Sequence, residues 1–268
     1  MHGAAQAAKR GGMERVLKLD GVHNFRDYGG YAAAGGAKVK AGVLWRSAQH
    51  GDASDADLAA IADLGLATVI DLRGPSERSA KPCRRHDGFS AQVFAHPEET
   101  AGLALHTEAA DGVVTEAEAR AAMLRLYDGI AFRENLVPML RCHFEVLQRG
   151  ADPSLVHCVA GKDRTGFAVA LVHHALGVSR DDIVADYMLT NAAGNIEARI
   201  AAGAEQIRAH RGAITDATIR VLMGVEEDYI VAAFAAVEAR HGGLDAYLAE
   251  VIGVDAAAVE GLRRDYLE

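Results

Sequence analysis

The run His157-Cys158-Val159-Ala160-Gly161-Lys162-Asp163-Arg164-Thr165-Gly166 constrains this chain more than any other feature. It follows a short apolar stretch, Ser154 to His157, with the length of a buried strand, and it leads into a helical pattern from about Arg164 to Leu176. A strand that passes through a glycine-containing turn into a helix makes an anion cradle. Successive N–H groups of the turn face inward, and the helix N-terminus adds about half a positive charge. Cys158 opens that turn, where the same field favours thiolate over thiol. Arg164, six positions on, brings a planar fork suited to two phosphate oxygens, which lysine does not reproduce. Gly161 permits the tight turn, Gly166 allows close packing of the helix, and the Thr165 hydroxyl is placed to reach the sulfur.

These residue types imply attack of sulfur on phosphorus, departure of an alcohol or phenol, and hydrolysis of the thiophosphate by water, with no metal and no cofactor. Asp163 is the candidate general acid for the leaving oxygen and base for the later water, while Lys162 adds charge for a multiply phosphorylated ligand. Cys158, Arg164 and Asp163 are thus the catalytic candidates. Val159, Ala160, Gly161, Lys162, Asp163, Arg164 and Thr165 form the phosphate-binding set. The plain alternative is an inert cysteine after an apolar strand with an arginine paired to a carboxylate; the full ten-residue string weighs against it. Two other function classes share the pattern: a sulfurtransferase of rhodanese type and a non-catalytic phospholigand-binding module. Persulfide transfer from thiosulfate marks the first, and absence of any phosphate-ester turnover marks the second.

With 268 residues and 50 % hydrophobic content, the chain builds a sizeable core. Its five prolines, and the lack of a linker or repeat, point to one elaborated domain over 19–268 after a flexible segment, 1–18. A formal charge of −9 excludes non-specific nucleic-acid binding, so an anionic substrate must be held by local chemistry. Cys83, Cys142 and Cys158 are an odd, irregularly spaced set, unlike a disulfide framework, and point to a reducing compartment. No run reaches the ~18 apolar residues that span a bilayer, and no apolar stretch follows Lys9 and Arg10. The expectation is a cytoplasmic protein without stable membrane insertion, with unconventional secretion left open and Met13 as an alternative start. Oligomeric state is not encoded.

Short apolar runs at Val43 to Trp45, Ala67 to Leu72 and Gln92 to Phe94 alternate with a helix that puts Leu58, Ile61 and Ala62 on one face. From Thr115, with Glu118 at capping-box spacing, a helical pattern continues through Leu136, Leu140 and Phe144 to Gln148. Ser179 with Asp182 caps a further helix, and Tyr229, Ala233 and Val237 mark a late one. The fold class is α/β, with a small, mostly parallel central sheet flanked by helices and a helix-rich C-terminal half.

The ten-residue string resembles the signature of the cysteine-dependent protein tyrosine phosphatases, in the HCxxGKDRTG form of bacterial atypical tyrosine and lipid phosphatases. Asn24-Phe25-Arg26-Asp27 with Gly29-Gly30, Trp45-Arg46-Ser47 and Asp71-Leu72-Arg73 are similar to that family. So are Asp186-Tyr187 with Thr190-Asn191, and Gly242-Gly243-Leu244 with Tyr247-Leu248. The resemblance implies Cys158 as nucleophile, Arg164 as phosphate ligand, and Asp71 facing the same cleft. It implies a phosphotyrosine phosphatase-like domain whose segment of about 110–150 is a helical lid insertion. The substrate is then a phosphorylated protein or a phosphoinositide, with inorganic phosphate as product. The only tryptophan, Trp45, precedes Arg46, so there is no Trp-Pro-Asp acid loop, and Asp163 leads Asp71 as the acid.

Other residues carry two readings each. Asn24 to Asp27 either brace the cradle or form a polar turn with its own Arg–Asp pair. Asp71 either lines the cleft or neutralises Arg73 or Arg46. Arg78, Lys81, Arg84 and Arg85 are either a site for an acidic partner or a solvated loop. His173 and His174 read as structural, and Cys83 or Cys142 is a disulfide candidate for oxidised Cys158.

Overall fold

The computed structural model describes residues 15–100, 115–201 and 214–268. Five short strands form one sheet: β1 (Arg26–Asp27), β2 (Leu44–Ser47), β3 (Thr68–Asp71), β4 (Gln92–Ala95) and β5 (Ser154–His157), in the order β1-β2-β5-β3-β4. The pairs β2–β5, β5–β3 and β3–β4 are parallel, and β1 adds an antiparallel edge. His157, the last residue of the central strand, lies opposite both Ser47 and Asp71. Cys158 therefore leaves the sheet at its carboxyl edge, where parallel sheets hold their ligands.

Side chains alternate across the sheet, so Ile70 and Val156 face a large core while Val69 and Leu155 face a smaller one. The smaller core is covered by α1 (Asp55–Ala62), capped by Ser54 and Asp57. Leu58 and Ile61 are buried there as expected, but Ala62 is exposed and Asp57 is buried instead. The Asp57 carboxylate accepts from the N–H groups of Asp20, Gly21 and Ser54, which satisfies it beneath the helix start. After β3 comes the short α2 (Pro75–Ala80).

The expected helix from Thr115 is two helices, α3 (Glu116–Ile130) and α4 (Val137–Leu147). The capping box of Thr115 and Glu118 starts the first, and Pro138 near the start of the second fits a new helix rather than a continued one. Met123, Leu126, Tyr127, Leu140 and Phe144 are buried in the large core, so the described part of the expected lid is packed scaffold. Residues 110–114 of it lie outside the described residues. The same holds for 1–14 of the predicted flexible segment, but Val16 bridges Arg26 and the Leu17 N–H donates to Phe25 O. Order thus begins before the predicted boundary at residue 19.

The helix after the cradle, α5 (Asp163–Ala175), is buried along almost its whole length, as the central helix of the large core must be. Around it pack α6 (Arg180–Met188, capped by Ser179), α8 (Glu227–His241) and α9 (Ala256–Tyr266), while α7 (Asp216–Met223) packs against α3. Tyr229, Ala233 and Val237 of α8 are fully buried, as their spacing predicts. No helix among the described residues is long and apolar enough to cross a membrane.

Candidate active site

The loop between β5 and α5 turns its carbonyls outward and keeps its amides free. Gly161 has φ +65°, and a Cβ there would stand 2.4 Å from Ser47 O, so both conformation and space demand glycine. Its carbonyl accepts from Asn24 Nδ2 at 2.6 Å and from Arg46 Nη2 at 2.9 Å, while Val159 O accepts from the Gln49 N–H at 3.0 Å. Among the described residues no acceptor takes the N–H groups of Val159 to Arg164. That surplus of inward donors is an anion nest at a helix N-terminus. Asn24 is thus a brace for the cradle, and the alternative Arg26–Asp27 pair does not form. Asp27 accepts from the Gly29 and Gly42 N–H groups, and Arg26 turns to Asp186.

Arg164 is held by an acidic clamp that the sequence reading missed. Its Nη1 and Nη2 donate to the two Glu77 carboxylate oxygens at 2.7 Å each, and Nη1 also donates to Leu72 O and Thr100 Oγ1, both at 3.0 Å. Guanidinium has five N–H donors. The end-on edge is spent on Glu77, whereas Nε is buried with no partner and Nη2 has a proton to spare, which leaves the side-on edge for an oxyanion. Burial alone would lower the Arg164 pKa, but the Glu77 bonds and the charges of Cys158 and Glu77 raise it above its ordinary value. The sequence signal for Glu77 was no more than a helix-start pattern, Gly74 to Glu77, after Asp71-Leu72-Arg73.

Cys158 is buried at the loop floor, while Val159 and Ala160 on the rim are half-buried. Thr165 Oγ1 is buried with no hydrogen-bond partner, the Cys158 sulfur included. Beneath the loop, Arg26 and Arg46 share the single carboxylate of Asp186, at 3.2 and 2.7 Å, with all three side chains at most 1 % exposed. Burial works against Asp186 as an anion, yet the two guanidiniums hold its pKa well below the carboxylate range. Two cations against one anion leave a net positive charge under the cradle. Burial and the neighbouring Arg26 lower Arg46 to about 10, against the pull of Asp186 and Cys158.

The two candidate acids part company. Asp163 Oδ1 accepts from Tyr127 Oη at 2.8 Å, and Tyr187 Oη donates in turn to Tyr127 at 2.6 Å, tying α3 and α6 to the loop. Asp71, in contrast, is taken up by Arg73: Nε donates to Oδ1 at 2.9 Å and Nη2 to Oδ2 at 2.7 Å. Although burial opposes it, His157 and Arg73 hold Asp71 down to about 2, which makes it a poor proton donor. The expected place for Asp71 in the phosphate-binding set is therefore corrected to a pairing role beside the loop. Lys162 is corrected too. Its buried Nζ donates to Leu222 O at 2.5 Å and Gly224 O at 3.0 Å, so it ties the end of α7 to the loop rather than meeting a second phosphate.

Among the described residues, donor atoms of Asp71, Cys83 and His157 converge within 4.8 Å. Arg73 Nη2 already donates to both Asp71 and Cys83, the latter at 3.1 Å, so a guanidinium holds that position. In the basic run, Lys81 pairs with Asp52 and Arg84 with Asp55, while Arg78 donates to the carbonyls of Arg73 and His96. Among the described residues, Arg85 is the one of the four that lacks an acidic or carbonyl anchor beyond its own neighbour Arg84. His173 is buried against Tyr28 O, and His174 meets Asp245.

The chain is similar to known proteins along most of its length. The model described as tyrosine phosphatase family matches residues 17–268. A protein named as a tyrosine-protein phosphatase in Cupriavidus necator is 35 % identical over 91 % of this chain and 87 % of its own length. A triple specificity protein phosphatase of Mycobacterium tuberculosis is 32 % identical over 92 % of this chain and 98 % of its own. A tyrosine-protein phosphatase of Nostoc commune is 28 % identical over 57 % of this chain and 49 % of its own.

Proposed function

The chain belongs to the tyrosine phosphatase family, and from that premise we propose that Cys158 is the nucleophile of a phosphatase that works through a cysteinyl-phosphate. The sulfur attacks phosphorus as the P–O bond to the leaving alcohol or phenol breaks, and Asp163 supplies the proton to that oxygen. Charge on the three equatorial oxygens meets the free side-on edge of Arg164 and the unclaimed amides of Val159 to Arg164. Asp163, now a carboxylate, then takes a proton from water as it attacks phosphorus. This returns Cys158 as thiolate and releases inorganic phosphate.

The observation that carries this reading is the surplus of donors around Cys158, above all the buried, partnerless Nε of an arginine whose other edge is clamped by Glu77. A sulfurtransferase would not need that second, oriented edge. Phosphotyrosine is the proposed first substrate, with phosphoserine, phosphothreonine and phosphoinositides as further ones; the breadth rests on the triple specificity named for the mycobacterial relative. A reducing, cytoplasmic setting suits the free thiols Cys83, Cys142 and Cys158. The test is hydrolysis of an aryl phosphate by Cys158→Ser, expected to be abolished with vanadate-sensitive, EDTA-indifferent turnover in the parent. Parent-like turnover by Cys158→Ser would sink the assignment, and a panel of phosphotyrosine peptide, phosphoserine peptide and phosphoinositide settles the order of substrates.

A further inference from the structure

The small core on the far face of the sheet is incompletely filled. One eight-residue helix, α1, cannot cover that face alone, and the segment 84–90 covers the rest. Between them lies a cavity of about 140 Å³, with Leu58, Ile61, Leu66, Val69 and Leu155 among its walls and Phe89 beside its mouth. A partly open cavity with that much room and mostly apolar walls accommodates a single aromatic ring.

The mouth is cationic. Arg85 lines it, with its guanidinium 4.8 Å from the Phe89 ring centroid and Nη1 3.1 Å from His50 Nδ1. Among the described residues Arg85 pairs with no carboxylate, unlike Lys81 and Arg84 in the same segment. His50 also lines the cavity and is nearly fully buried; burial and the neighbouring His157 hold its pKa well below 6.5, so the ring is neutral and accepts from Arg85. Its Nε2 stands 3.0 Å from Ser47 Oγ, and Ser47 O is the backbone on which Gly161 rests.

We propose that this cavity is a second binding site, separate from the Cys158 loop, for a small organic monoanion: one aromatic ring seated against the apolar walls, its carboxylate on Arg85. Charge selects the anion, since the guanidinium that lines the cavity has no carboxylate partner among the described residues. Volume selects the single ring, and ring burial supplies most of the affinity. A free metabolite fits where a folded protein surface does not, because the apolar part must enter the void. The Arg85–His50–Ser47 contacts give such a ligand a physical connection to the back of the cradle.

Phenylacetate is the probe, titrated calorimetrically into the full-length protein with the catalytic loop saturated by inorganic phosphate. Binding is expected for phenylacetate, about tenfold weaker binding for the uncharged 2-phenylethanol, and none for acetate. Arg85→Gln is expected to weaken phenylacetate about tenfold, and Leu66→Trp to abolish its binding by filling the void. Ala62→Phe, at an exposed helical position on the rim, gives the same loss if Leu66→Trp does not fold. Loss of binding when phosphate is present would place the anion in the Cys158 loop and overturn the proposal. So would equal affinity for phenylacetate and 2-phenylethanol, or binding that survives the filled cavity.

Discussion

Replacing Glu77 with Gln tests whether the acidic clamp sets the phosphate-binding edge of Arg164. Both Glu77 oxygens accept from Arg164 at 2.7 Å, and one of them also caps the Gly74 N–H at 2.9 Å. Glutamine keeps one oxygen acceptor but turns an NH2 group toward a guanidinium nitrogen, so at least one charge-assisted bond becomes a donor–donor contact. Such bonds contribute about 1.5–3 kcal/mol, and the opposed donors add to the loss. A cost of about 2–3 kcal/mol in holding Arg164 corresponds to roughly a 30- to 150-fold fall in kcat/KM, with a comparable weakening of vanadate, because both depend on the same oriented edge. The assay is steady-state hydrolysis of an aryl phosphate beside Cys158→Ser as background, with thermal unfolding as a check that the variant is folded. A folded Glu77→Gln enzyme within threefold of its parent in kcat/KM and vanadate affinity would refute the clamp argument.

Asp163→Asn is expected to lower kcat at least tenfold more on phosphotyrosine than on an activated aryl phosphate, since a good leaving group needs less protonation; equal losses would reduce Asp163 to a loop-holding role. Asp186→Asn leaves Arg26 and Arg46 buried against each other without their shared carboxylate and should cost about 3–5 kcal/mol in denaturant unfolding. A change under 1 kcal/mol would show that the pair is compensated elsewhere. His143 in α4 is buried with both ring nitrogens partnerless, and burial lowers its pKa to about 4. The unfolded chain, with a histidine near ~6.5, binds that proton first as pH falls. The contribution of His143 to stability therefore falls by about 3 kcal/mol between roughly pH 6.5 and 4, on the same limb as the other histidines that burial lowers, His50, His157 and His173. His143→Leu should make that limb of the stability profile shallower by its share, and an unchanged slope would assign the whole limb to the other groups.

The strand, loop and helix around Cys158 were legible because they are contiguous. Ser154–His157 is a strand at the predicted bounds, and α5 begins one residue before the predicted Arg164. Capping pairs such as Thr115 with Glu118 and Ser179 with Asp182 were legible for the same reason, each being closed within three residues. The helix break after Ile130 was not, because the apolar spacing on either side of it reads through without interruption. Nor was the burial of Asp57, which depends on amides 36 and 37 positions away.

The sequence by itself determined the chemistry on offer: a cysteine at a turn, the arginine six residues on, and a run of free amides forced into a nest by local backbone geometry. Tertiary structure decided what each neighbouring charge does with that chemistry. Glu77 reaches Arg164 across 87 positions, Asp186 reaches Arg26 and Arg46 across 160 and 140, and Lys162 is diverted to carbonyls 60 and 62 positions away. A nest is built by neighbours in the chain, whereas the partner of a buried charge is chosen by whichever group the packed core brings within reach, and no local pattern records that choice.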